Sequence, residues 1–325
     1  MKNFEKGFNS ENENNHKERE SAVNRIVNLS ESEENRISEE AKGIFQKQEK
    51  LPIEHEKTER EMQIIQDILI KLPEFLSEYE IESLNLTPNH IHVVNEASLS
   101  ADQKKTLGIP EKAGGFYMEP EQGSVVFDND NDLTFAEDVA HESLHANSFI
   151  SFTAKDNDPT LRLTLRRVGL TILDKNGRRY FHDLNEAITE ELTKRFDRKY
   201  FNKMPSLSRA IKKREEYIAA VKIENPDNDT EEIGSVRTVQ ISSEEWETTI
   251  KEYEYQPERK ELSSLINAIY EKNKTQFASP EDVFRLFVKA AFTGRMIGIA
   301  HLIKNTFGKN SFRQLAEKTE HKKKG

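Results

Sequence analysis

A chain of 325 residues, 35% hydrophobic and 33% charged, is long enough for two domains but too dilute in apolar side chains to be packed along its whole length. Its net charge of −10 argues against general nucleic-acid binding, which needs a basic surface to displace counterions. The absence of cysteine excludes disulfide scaffolds, thiolate metal sites and cysteine nucleophiles. No apolar run approaches a membrane span and the N-terminus lacks an apolar signal core, so the default expectation is a cytoplasmic protein, with unconventional export as the alternative.

In chain order, residues 1–57 form a polar arm in which only Val23/Ile26/Val27 and Ile37/Ala41/Ile44/Phe45 recur at helical spacing. Short isolated helices are marginal in water, so a flexible or loosely helical arm is expected, free to dock on a partner. From Glu59 the stripe Met62, Ile65, Ile68, Leu69 and Leu72 predicts a helix that Pro73 interrupts. His90 to Val94 predicts a strand. His90 and His92 share one of its faces, but with no third ligand nearby they read as a half-buried strand surface. Gly114–Met118 and Ser124–Phe127 predict a hairpin. Asp128 to Asp132 resembles a calcium loop in composition but lacks the central Gly and distal Glu of an EF-hand, and reads as a polar turn. Thr134 with Glu137 predicts a capping box that opens the next helix.

After a polar loop at Lys155–Pro159, Val168–Leu173 and Arg178–Phe181 predict a second hairpin, and Asp183 predicts the N-cap of a following helix. A folded catalytic unit is therefore expected over 58–200 and a polar connecting segment over 201–258. Residues 259–318 predict a helical C-terminal lobe, where Leu262, Leu265, Ile266 and Ile269 mark one helix and Ser279-Pro280 opens another. A basic tail follows over 319–325.

The chemistry concentrates in His141-Glu142-Ser143-Leu144-His145. Residues four apart on a helix lie about 40° apart, so His141 and His145 share a face and can hold one metal ion, with Glu142 beside it as a proton acceptor. Alone, this pattern fixes three positions and arises by chance on ordinary helices. Asn185-Glu186-Ala187-Ile188-Thr189-Glu190 shifts the balance. Glu186 offers a third, oxygen ligand, and Glu190, one turn on, can steady a ligand imidazole. The bland alternatives are a capping box for Glu186 and a solvated acidic face for Glu190. One catalytic zinc is the expected cofactor: three protein ligands leave a fourth position open for water.

Together these two stretches resemble the gluzincin group of metallopeptidases, to which thermolysin belongs. The resemblance covers about residues 120–195. It implies an α+β fold: a zincin-like catalytic domain with a small antiparallel or mixed sheet, an active-site helix and a glutamate helix, joined here to a mainly helical C-terminal lobe. It further implies His141, His145 and Glu186 as zinc ligands, Glu142 as general base, Glu190 as the carboxylate behind a ligand His, and an edge strand, Ser124–Phe127 or its hairpin partner, that pairs with a peptide or protein substrate. Two departures stand out: 40 residues separate His145 from Glu186, about twice the family spacing, and position 190 is Glu rather than Asp. No single residue matches the family's oxyanion donors. Tyr180, His182, Tyr200, Tyr217, Arg295 and His301 are the candidates, although His301 sits in an apolar helix and suits a core histidine better. The competing readings are a zincin-fold binding or regulatory protein without turnover, and a helical interaction scaffold in which both motifs are accidental.

Overall fold

Small mixed sheets surrounded by helices, an α+β arrangement, make up the computed structural model, which describes residues 19, 21–27, 29–107, 114–118, 121–128, 130–154, 163–240 and 246–320. The first 18 residues of the arm, the loop at 155–159 and the tail from His321 lie outside the described residues. The chain runs through β1 (Val23–Val27), α1 (Glu31–Lys47), α2 (Glu59–Ser77), β2 (Ile91–Val94), α3 (Ala101–Leu107), β3 (Gly115–Met118), β4 (Gly123–Phe127) and α4 (Asp132–Asn147). It continues with β5 (Ile150–Ala154), β6 (Leu163–Val168), β7 (Thr171–Leu173), β8 (Arg179–Tyr180), α5 (His182–Tyr200) and α6 (Ser208–Glu224). The remainder is β9 (Ile233–Gln240), β10 (Trp246–Glu252), α7 (Gln256–Lys272), α8 (Pro280–Thr293), α9 (Ile297–Phe307) and α10 (Ser311–Lys318). No helix among the described residues is long and apolar enough to cross a membrane.

One sheet has the order β2-β4-β3, with β2 parallel and β3 antiparallel to the central β4, so β3 is an edge. A second has the order β1-β5-β6-β7-β8, with β1 parallel to β5 and the rest antiparallel. The β9–β10 hairpin stands apart as a two-stranded ribbon. Helix α4 is buried over almost its whole length, packed on β4 and β3 and against α2 and α5. A largely buried helix leaves few water-accessible positions, so the polar side chains along it must be satisfied by protein or by ligand.

Local signals and tertiary contacts compete at four points. Helix α2 runs through Pro73 to Ser77 instead of ending there. Phe75 and Leu76 in that last turn are buried in the main core, and their burial outweighs the lost backbone donor. Helix α4 starts at Asp132 and is capped by Asn131, whose Oδ1 accepts from the amides of Leu133 (3.0 Å) and Thr134 (3.2 Å). The Thr134 hydroxyl pairs instead with Ser235 at 2.8 Å. Helix α5 begins at His182 behind Phe181, a residue with φ 59°, and not behind an Asp183 cap. Phe181 is buried against Phe312, and the Asp183 amide donates to the Thr319 carbonyl, so α10 supplies what a cap would have. Residues 201–258 hold α6 and the β9–β10 hairpin.

The segment before α2 is fitted to the body as well. β1 joins β5, α1 buries Ile37, Ala41 and Phe45, and Glu54 lies 2.7 Å from His92 Nδ1 and 2.5 Å from Lys57 Nζ. Burial pushes the Glu54 carboxyl up, but His92 and Lys57 overcome it and bring it down to about 2. A depressed carboxyl stabilises the fold at any pH above its unfolded value and stops doing so as pH falls through its folded value. Glu54→Gln is therefore expected to lose on the order of 2 kcal/mol near pH 7, after allowing for solvent screening, and to converge with the parent near pH 2. Denaturant titrations at both pH values check this; an equal gap at both would contradict it.

Candidate metal centre

Two helices bring the site together. On α4, His141 and His145 stand one turn apart with ring centroids 4.8 Å from each other. Their Nε2 atoms are 3.1 Å apart. From α5, Glu186 Oε2 lies 3.1 Å from His145 Nε2 and 3.6 Å from His141 Nε2. Among the described residues these three form the one group suited to hold a metal ion. A tetrahedron with ligand arms of 2.0–2.2 Å has edges of about 3.3–3.6 Å; one of the three separations lies in that range and the two of 3.1 Å fall slightly short of it.

The hydrogen bonds around them fix which atoms face inward. Glu190 Oε2 lies 2.8 Å from His141 Nδ1, so the carboxylate accepts that N–H and leaves the Nε2 lone pair toward His145 and Glu186. The other Glu190 oxygen accepts the Glu254 amide at 2.7 Å. Two imidazole nitrogens and a carboxylate oxygen this close repel one another unless a cation or proton lies among them. Electrostatics agree. Burial opposes charge on Glu186, yet His145 and His141 hold its carboxyl well below the ordinary range. Burial likewise opposes charge on His141, but Glu186 and Glu190 raise it well above an ordinary imidazole.

Glu142 is buried beside this group, and its Oε2 has no hydrogen-bond partner among the described residues. Burial pushes its carboxyl up to about 7 against the pull of His141 and His145. Strand β3 lies close by because residue 115 is glycine: a Cβ there would sit 2.5 Å from the Val125 carbonyl oxygen and 3.0 Å from Glu142 Cγ. Gly169 plays a similar part opposite, with φ +55° and no room for a Cβ beside Asn185, whose Oδ1 accepts the Leu170 amide at 2.8 Å. A cleft of about 420 Å³ opens over the site between β3 on one side and β6–β8 on the other.

Of the oxyanion candidates, His182 lines this cleft, with Nδ1 3.5 Å from Glu186 Oε1. The others lie outside its walls. Tyr180 packs half-buried on the core, and Tyr200 is buried with its hydroxyl on Glu78. Tyr217 is half-buried on α6, and Arg295 is exposed after α8. His301 is neither core nor site: on α9, Ile299 and Ile303 face inward and His301 between them is exposed. His90 and His92 are buried and serve structure, His90 capping the turn at Thr87 and His92 bonding Glu54.

Tyr255 and Lys251 escaped the sequence reading. Tyr255 lines the cleft with its ring nearly parallel (15°) to His141 at 6.4 Å. Burial first, then Glu186 and the neighbouring carboxylates, raise its phenol far above an ordinary tyrosine, so it stays a proton donor. Lys251 on β10 reaches Asp138 at 3.2 Å, one turn before Glu142 on α4. The available signal was the alternating, β-branched run Trp246–Lys251, masked by the charges around it. No protein-family model, curated protein or solved structure matches this chain.

Proposed function

We propose that this chain is a zinc-dependent peptidase with a zincin-like catalytic centre of the gluzincin kind. The observation that carries the reading is the convergence of His141, His145 and Glu186 with a buried, unpartnered Glu142 oxygen beside them. A donor set of two imidazoles and a carboxylate without sulfur, its atoms 3.1–3.6 Å apart, suits zinc. Zinc held there supplies Lewis acidity, making a water molecule acidic enough to react near neutral pH and polarising the scissile carbonyl.

The chain's own residues do the rest. Glu142 accepts the proton as the water oxygen bonds to the carbonyl carbon, and delivers it to the leaving nitrogen as the C–N bond breaks. Tyr255 offers its hydroxyl to the carbonyl oxygen as negative charge develops there, aided by the low dielectric of a buried site. Glu190 orients His141 with one oxygen and anchors the Glu254 amide, and thus the start of the Tyr255 segment, with the other. Strand β3, paired among the described residues with β4 alone, lies at the edge of its sheet along the cleft, where an extended peptide can add to it. The test is digestion of a mixed peptide library by the zinc-loaded protein, read by mass spectrometry. New termini that disappear with a chelator support the reading; an intact library with zinc bound contradicts it.

A further inference from the structure

The chain's N-terminal segment grips the turn at the end of β3. Gln122 occupies that turn with φ +55° and is 1% exposed. Its Oε1 accepts from the Ala22 amide (2.8 Å) and the Ser21 hydroxyl (2.9 Å), and its Nε2 donates to the Ala41 carbonyl on α1 (2.6 Å). Gln48, just past α1, donates to the carbonyls of Glu121 (3.0 Å) and Gln122 (3.2 Å). The same segment also holds the far end of α4. Arg19 donates to the Asn147 carbonyl at 3.0 Å, and Asn24 accepts the Ile150 amide at 2.7 Å. One stretch therefore ties the hairpin carrying β3 to the end of the helix carrying His145.

A buried amide with both ends hydrogen-bonded cannot shift without orphaning its partners. Strand β3 needs such an anchor, because it spans four residues and, among the described residues, pairs with one neighbour. The geometry points to residues 19, 21–27 and 29–48 as a built-in clamp that holds β3 in place to receive substrate, with Gln122 as the positioning residue. The nature of the ligand, an extended peptide, rests on the peptidase reading; the stiffness of the strand does not.

Hydrogen exchange and kinetics on the full chain separate the two. In Gln122→Leu, β3 amides should exchange about tenfold faster or more while α4 amides keep parental rates. KM for peptide should rise about tenfold, with kcat within about threefold and unchanged inhibition by acetohydroxamate, a chelator that needs no strand. Gln48→Ala, which leaves the Gln122 side chain in place, should move the same readouts less, and it carries the test if Gln122→Leu does not fold. Unaltered β3 exchange in a folded variant overturns the clamp. Faster exchange with unchanged KM overturns its role in substrate placement. If the parent cleaves no peptide, the peptidase reading fails and the exchange rates alone decide the clamp.

Discussion

Glu142→Gln is expected to keep its bound metal and lose about 10²- to 10⁴-fold in kcat, with little change in KM. The amide has nearly the volume of the carboxylate, so α4 should keep its packing and the neighbouring imidazoles their places. What it lacks is the capacity to take a proton. Three neighbouring carboxylates are already engaged. Glu186 is committed to the ligand group, Glu190 is held by His141 and the Glu254 amide, and Asp138 is bound to Lys251. Single-turnover cleavage of a peptide found in the library screen, with metal content measured on the same sample, checks the outcome. Equal rates for variant and parent would remove Glu142 as general base, and loss of metal would make it part of the binding group.

Asp197→Ala should be the most damaging substitution away from the metal ligands. Asp197 on α5 and Arg214 on α6 are buried and joined through both guanidinium nitrogens, at 2.6 and 2.8 Å. Arg214 also donates to the Gly234 carbonyl on β9 at 2.6 Å, and the Tyr253 hydroxyl donates to the same carboxylate. Removing Asp197 leaves a buried guanidinium without its counter-charge, which costs about 3–5 kcal/mol. The melting temperature should fall by on the order of 10 °C. Because Tyr253 lies two residues before Tyr255, activity should fall further than the unfolded fraction explains. Thermal denaturation and kcat at a temperature where the variant is fully folded check both parts. A loss under about 1 kcal/mol would mean the network is replaceable by water.

Much of the metal centre was legible because its chemistry is local. The spacing of His141 and His145 follows from the helical repeat, and Glu186 with Glu190 repeats the same logic on a second helix. What could not be read was which distant elements would close on them. Tyr255 and Lys251 come from a stretch whose charges suggest a connector, and only long-range pairing of β9 with β10 turns it into a wall of the cleft. Helix starts failed for the same reason. Asn131 outcompeted Thr134 because the Thr134 hydroxyl had a partner on β9, and α10 relieved Asp183 of a capping duty. Pro73 was a fair local signal overruled by burial of the turn after it. The arm showed too few apolar residues to predict a packed segment. Its hold on the body comes largely from polar contacts such as those of Gln122, which hydrophobic periodicity does not register.

Metal stoichiometry decides the central claim most directly. Elemental analysis of the purified, dialysed chain should find about one zinc per molecule, and His145→Ala and Glu186→Ala should each remove it while circular dichroism shows their helices retained. A parent chain with intact secondary structure that takes up no zinc, or variants that bind it as tightly as the parent, would contradict the account.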